Sequence, residues 1–211
     1  MTGMESTGMT WRRGLIWGFL IAALLLVTGA ALRQILRKPE PPPVLGQTLD
    51  FTLVNRDGQT VRRADLLGAP WIADFIFTRC GASCPMMSLR MSRLEKELPR
   101  DLGVRFVSFS VDPEYDTPKV LQEYAESFGA PGRWLFLTGD KRTIYRLSKE
   151  GFKLALDDKT PANQLNKDDE PILHSTRFVL VDGEGRIRGY YEAFDEDAVK
   201  RLMRDVEALG R

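Results

Sequence analysis

Across 211 residues, 30 Lys and Arg against 29 Asp and Glu leave a formal net charge of +1. With no net positive field and no long basic stripe, the chain carries no nucleic-acid footprint. Hydrophobic residues make up 43% of the chain, enough for one core. About Val44–Arg211 is a single-domain length without an internal repeat.

Residues 1–13 read as a short N-terminal tail. Residues 14–36 read as one transmembrane helix, because Gly14–Leu32 is apolar and no charge falls between Arg13 and Arg33. A run of about 20 apolar residues crosses a bilayer, whereas the apolar core of a signal peptide is usually shorter. Small residues at Thr28, Ala30 and Ala31 keep cleavage open as the alternative. Arg12 and Arg13 on one side balance Arg33, Arg37 and Lys38 on the other, so flanking charge does not set the orientation. Residues 37–46, with Lys38-Pro-Glu-Pro-Pro-Pro43, form a proline-rich linker expected to be an extended, semi-rigid spacer.

Residues 47–211 form the main domain. Asp50–Asn55 alternates like a strand, and Asp57-Gly58 turns it into Gln59–Arg62. Asp65–Gly68 reads as a short turn or helix. Pro70–Phe77 is a nearly continuous apolar run, as expected of a strand buried on both faces. Met86–Leu98 is helical, with Met87, Met91, Leu94 and Leu98 on one face. Val104–Val111 is a strand, Thr117-Pro118 opens a helix to about Phe128, and Gly129 stops it. Trp134–Thr138 is a strand, and Asp140 caps a helix through Leu147. Gly151–Leu156 reads as a short strand, followed by a polar stretch from Asp157 to Pro171 that includes the charged cluster Lys167–Glu170. Ser175–Val181 and Arg186–Tyr191 form a hairpin around Asp182–Gly185, and Asp195 starts the last helix, Glu196–Leu209. The order is that of an α/β, thioredoxin-like sandwich, a central mixed sheet flanked by helices.

The only two cysteines lie in Cys80-Gly-Ala-Ser-Cys84-Pro85, where the buried strand gives way to a helix. Proline favours the first helical turn and restricts the residue before it, which makes Cys84 the expected N-cap. Unpaired N–H groups and the positive helix end favour thiolate at both sulfurs. A disulfide closing so short a loop adds little stability, and two inert buried thiols are the other bland reading. Redox chemistry and metal binding remain, and two cysteines alone do not separate them. His174 is the only histidine and precedes a strand, where a histidine is more often incidental than a ligand. Two thiolates with one imidazole would suit copper better than zinc, which wants a fourth ligand. Met86, Met87 and Met91 offer thioethers near the cysteines, but Met87 and Met91 have the spacing of a buried helix face. Asp112 follows a strand and closes it in a turn, with a role in shaping the rim of the cysteine site as the alternative.

Phe75-Ile-Phe-Thr-Arg-Cys80 with Cys84-Pro85, the segment Ser110-Val-Asp-Pro-Glu-Tyr-Asp-Thr-Pro118, and His174-Ser175 leading into a strand together resemble the Sco/SenC family. These are membrane-anchored, thioredoxin-fold copper proteins of cytochrome c oxidase assembly. The resemblance spans Phe51 to the last helix. It implies that Cys80, Cys84 and His174 bind one copper ion, Cu(I) or Cu(II), and that oxidation of the cysteine pair gates binding. It implies a metallochaperone delivering copper to the dinuclear copper site of an oxidase subunit. The chain would be a single-pass protein of the inner (plasma) membrane with its C-terminal domain on the periplasmic or extracytoplasmic side. The alternative is a thiol–disulfide oxidoreductase that keeps the oxidase copper-site cysteines reduced; other copper carriers or thiol–disulfide proteins are further partners. Gly81 and Leu173 depart from the family's common proline and aspartate at those positions, and an acidic neighbour of the histidine would tune the site.

Overall fold

The computed structural model describes residues 7–36, 40–81, 83–130, 132–154 and 175–210. The chain divides into two compact units, Met1–Pro39 and Glu40–Arg211. The first contains helix α1, Thr7–Leu36, of 30 residues. The apolar side chains described along it, among them Leu15, Trp17, Phe19, Leu24 and Leu26, are exposed. Among the described residues no helix is long and apolar enough to cross a membrane. The side chains described in α1 cover chiefly 15–29, fewer than the ~20 that a span takes, so the expectation of a transmembrane segment rests on the composition of Gly14–Leu32.

The second unit is built on one eight-stranded sheet. Its strands are β1 (Gly46–Gln47), β2 (Thr52–Asn55), β3 (Thr60–Arg62), β4 (Trp71–Ile76), β5 (Arg105–Ser110), β6 (Trp134–Thr138), β7 (Arg177–Val181) and β8 (Arg186–Glu192), in the order β1-β8-β7-β4-β5-β6-β2-β3. Strands β4, β5 and β6 are parallel, and β7 joins β4 antiparallel. Helices α2 (Ser83–Glu97), α3 (Pro118–Ser127), α4 (Lys141–Arg146) and α5 (Glu196–Leu209) flank it. This is the mixed α/β sandwich that the alternation of strand and helix signals predicts.

Side chains alternate across a strand, and β4 feeds a separate core on each face. Ile72 and Ile76 pack with Met87, Met91 and Leu94 of α2, Leu121 of α3 and Leu202 of α5. Ala73 and Phe75 pack with Phe51, Phe109, Ile144 and Phe152. In the second core Phe75 stacks on Phe109 with ring centroids 5.0 Å apart, and Phe152 meets Phe75 edge-on at 5.2 Å. Pairs of this geometry each add about 0.5–1.5 kcal/mol beyond area burial.

Caps stand where the sequence puts them. The Thr117 side chain accepts from Val120 N, Asp140 from Thr143 N, and Asp195 from Asp197 N and Ala198 N. Gly185 closes the β7–β8 hairpin with φ +78, a conformation that residues with a Cβ avoid.

Two expectations are corrected. Gly151–Leu156 does not form a strand over its described part. A π turn, Leu147–Gly151, follows α4, and Phe152 N–H then donates to Leu147 O at 2.7 Å. The turn delivers the buried Phe152 ring into the aromatic cluster, and that packing outweighs the β-like local composition. Nor is the whole of 37–46 a free spacer. Arg188 donates to Pro42 O at 2.6 Å, Leu45 N–H donates to Ile187 O at 2.8 Å, and Gly46 pairs with Ile187 as edge strand β1. The exposed edge of β8 needs partners for its backbone groups, and the end of the linker supplies them. The polar stretch Asp157–Pro171 and His174 lie outside the described residues.

Candidate metal centre

Strand β4 ends at Ile76, and the chain turns through Thr78 and Arg79 to Cys80, whose N–H donates to Phe77 O at 3.2 Å. Helix α2 begins at Ser83, so Cys84 stands in its first turn rather than at the N-cap. Pro85 follows in that turn, where a missing N–H leaves no helix bond unmade. The Cys84 N–H donates to Cys80 Sγ at 3.4 Å, and the Ser83 hydroxyl lies 3.7 Å from the same sulfur. Cys80 thus takes the acceptor role of a cap: its sulfur receives one of the first-turn N–H groups that a helix cannot pair internally.

The two cysteines are not joined in a disulfide, and their surroundings are unequal. Cys80 is half-buried and Cys84 buried. Burial pushes the Cys84 thiol up from its ordinary 9.0 to about 12, and the neighbouring Cys80 sulfur and the Asp74 carboxyl push it the same way. The expectation that the helix end favours thiolate at both positions therefore fails at Cys84: desolvation in the apolar layer under α2 outweighs the dipole. Among the described residues no group of three or more His, Cys, Asp or Glu side chains is arranged to hold a metal ion. The structure brings Cys80 and Cys84 together; His174 is outside the described residues.

Two carboxylates near the pair are not among the candidate residues that the sequence singles out. Asp116 is fully buried and accepts from Thr78 N at 3.1 Å, Thr78 Oγ1 at 2.5 Å and Ser110 Oγ at 2.5 Å. A hydrogen bond contributes roughly 0.5–1.5 kcal/mol, and three of them let Asp116 fix the backbone two residues ahead of Cys80. Outside it, Arg79 donates to Asp112 Oδ2 at 2.5 Å and lies over the Tyr115 ring at 4.3 Å. Asp112 does close a turn, with Asp116 N–H on its carbonyl at 2.8 Å, and it also ties the rim loop to the cysteine loop.

Asp74 is the other. It pairs in register with Ser108 of β5 and, by strand alternation, faces the same side as Ile72 and Ile76, toward Cys84 and α2. It is fully buried, and neither oxygen finds a hydrogen-bond partner among the described residues. Burial raises its carboxyl from 3.8 to about 7, with the neighbouring Ser108 hydroxyl acting the other way. The signal for Asp74 was visible in the sequence as the one charge inside the apolar run Trp71–Phe77.

The SCO1/SenC family profile matches residues 42–209. The SCO1 protein homolog of Bacillus subtilis is 31% identical over 201 residues, covering 94% of this chain and 96% of its own length. The solved structure of BsSco, a member of the Sco family of cytochrome c oxidase assembly proteins with an identified disulfide switch, superposes with TM-score 0.66 at 31% identity, covering 82% of this chain and 98% of its own. Copper-bound ScoI of Bradyrhizobium japonicum superposes with TM-score 0.57 at 25% identity, over 75% of this chain and 98% of its own.

Two outcomes are expected. In the reduced protein at neutral pH, iodoacetamide labels Cys80 well before Cys84, because thiolate is the nucleophile and Cys84 is both buried and held protonated. Peptide mass spectrometry reads the order, and equal labelling would contradict it. For Asp74, the folded state holds the proton more tightly than the unfolded chain. That advantage is fully present below 3.8 and lost as pH rises through about 7. Urea unfolding of Asp74→Asn should therefore show a flatter pH dependence, with wild type losing of the order of a few kcal/mol relative to the variant across that window. Parallel pH curves would mean that Asp74 titrates as an ordinary surface carboxylate.

Proposed function

Because the chain belongs to the SCO1/SenC family, we propose that it carries copper for cytochrome c oxidase assembly, bound by Cys80, Cys84 and His174. The observation that carries the reading is the pair of sulfurs at the start of α2, with the Cys84 N–H on Cys80 Sγ at 3.4 Å. Two thiolates and an imidazole form a soft donor set that favours copper. Family membership and the copper-bound relative support the same assignment. The antiparallel pairing of β7 with β4 also supports it, since the start of β7, just after Ser175, lies at the sheet end where β4 gives way to the cysteine loop.

The residues divide the work. Cys80, the more accessible sulfur, meets the incoming ion first. Cys84 gives up its thiol proton on binding, and the N–H groups of the α2 first turn hold the sulfur-rich pocket in shape. The ion then passes by thiolate exchange to the cysteines of an oxidase subunit's dinuclear copper site, with no change in electron count. When Cys80 and Cys84 instead form a disulfide, two electrons and two protons pass to an oxidant such as a partner disulfide, and both sulfur ligands are lost. The disulfide switch identified in BsSco is consistent with such gating.

The second reading, a thiol–disulfide oxidoreductase for the oxidase copper-site cysteines, draws on the unequal pair: a half-buried Cys80 suited to attack and a buried Cys84 suited to resolve. We also propose that α1 anchors the chain in the plasma membrane with the second unit on the extracytoplasmic side, on the strength of the uncharged stretch Gly14–Leu32.

Anaerobic competition with a Cu(I) chelator separates the two readings. The reduced full chain should bind one Cu(I) tightly, His174→Ala should bind it at least tenfold more weakly, a change of about 1.4 kcal/mol, and the oxidised chain should not bind it. Weak binding indifferent to His174, with rapid reduction of a partner disulfide, would favour the oxidoreductase. For the anchor, the full chain should stay with membranes through an alkaline carbonate wash and a chain lacking residues 1–39 should not; release of both would end the anchor proposal.

A further inference from the structure

The three methionines after the cysteines part company in the structure. Met87 and Met91 are 1% and 0% exposed, inside the apolar layer, whereas Met86 is 60% exposed. Met86 leaves its thioether in solvent, two residues after Cys84. Its position on α2 is informative. Met86 follows Ser83 by one helical turn, so the two share a face, and the Ser83 hydroxyl is 3.7 Å from Cys80 Sγ. Long side chains on a helix lean back toward its N-terminus, which for Met86 is toward Ser83 and the accessible flank of Cys80. Cys84 turns the other way, into the core with Met87 and Met91.

We propose that the Met86 thioether is an auxiliary soft donor for Cu(I) at the mouth of the site, holding the ion beside Cys80 as it enters and leaves. The inference rests on the copper-carrying reading and adds a ligand to it. Thioether sulfur is a soft, neutral donor that suits Cu(I). It has no proton to shed, so an S–Cu bond forms and breaks with no electron or proton moved, while the thiols must each lose a proton. An unbranched, flexible side chain can follow the ion outward without disturbing α2. Because a thioether binds more weakly than a thiolate, the ion settles on the cysteines and Met86 acts on the exchange path. This makes Met86 a selectivity element as well: Cu(II) and Zn(II), which prefer nitrogen and oxygen donors or thiolate, gain little from it.

The test uses the reduced full chain, made with isotope-labelled methionine methyl groups, under anaerobic conditions. Cu(I) is added first, then in a separate sample Ag(I), a closed-shell soft analogue. The Met86 methyl resonance, assigned by its absence from Met86→Leu, should shift on the first equivalent and more than those of Met87 and Met91. Leucine keeps the volume and removes the sulfur, so Met86→Leu should keep its one-to-one Cu(I) stoichiometry and exchange the ion with a chelator at a rate changed several-fold. If Cu(I) binds one-to-one while the Met86 methyl stays put and the exchange rate is unchanged, the inference is overturned and the copper-carrying function stands. If no Cu(I) binds to the wild-type chain, both fall.

Discussion

The hydrogen bond from the Cys84 N–H to Cys80 Sγ, at 3.4 Å, joins the fold to its chemistry. A strand buried on both faces has to end, and the helix that follows must satisfy its first N–H groups. Here a sulfur accepts one of them. The same geometry presents a half-buried Cys80 at the surface and sends Cys84 into the layer of Met87, Met91 and Ile76. The inequality of the two thiols is thus a consequence of how one helix begins. It suits a site that has to open to a partner on one side and keep its shape on the other.

The surrounding carboxylates are used in opposite ways. Asp116 is buried and hydrogen-bonded to three donors from Thr78 and Ser110, so it acts as a fixed strut between the loop after β5 and the loop carrying Cys80. Asp74 is buried with neither oxygen hydrogen-bonded among the described residues, and desolvation pushes it toward the neutral acid. An unpaired buried acid is costly, and its nearness is felt at Cys84, whose proton it helps retain. A rigid rim and a proton-rich floor lie on either side of the cysteine pair. Arg79, laid between Asp112 and Tyr115, adds a second tie across the rim.

Much of this was legible in the chain. Trp134–Thr138 and Glu196–Leu209 stand within the residues that alternation and the Asp195 cap define, because period and capping are local properties. The misreadings share a cause. The segment after Gly151 has strand-like composition, yet Phe152 is drawn into a cluster formed by Trp71, Phe75 and Phe109, residues far away in sequence. The linker reads as free polyproline until the edge of β8 claims Leu45 and Gly46. Cys84 reads as a thiolate-favouring N-cap until the layer beneath α2 is known.

The sequence by itself determined the alternation of strands and helices, the strand-to-helix junction that carries the cysteines, and the family the motifs point to. Each of these is read from short runs of residues, however far apart the runs lie. Only the tertiary structure decided that Cys84 is buried and Cys80 accessible, that Asp116 reaches back 38 residues to hold Thr78, and that Met86 faces outward while Met87 and Met91 do not. Desolvation and hydrogen bonding at long separation depend on what packs above and beside a residue. No local pattern encodes those neighbours.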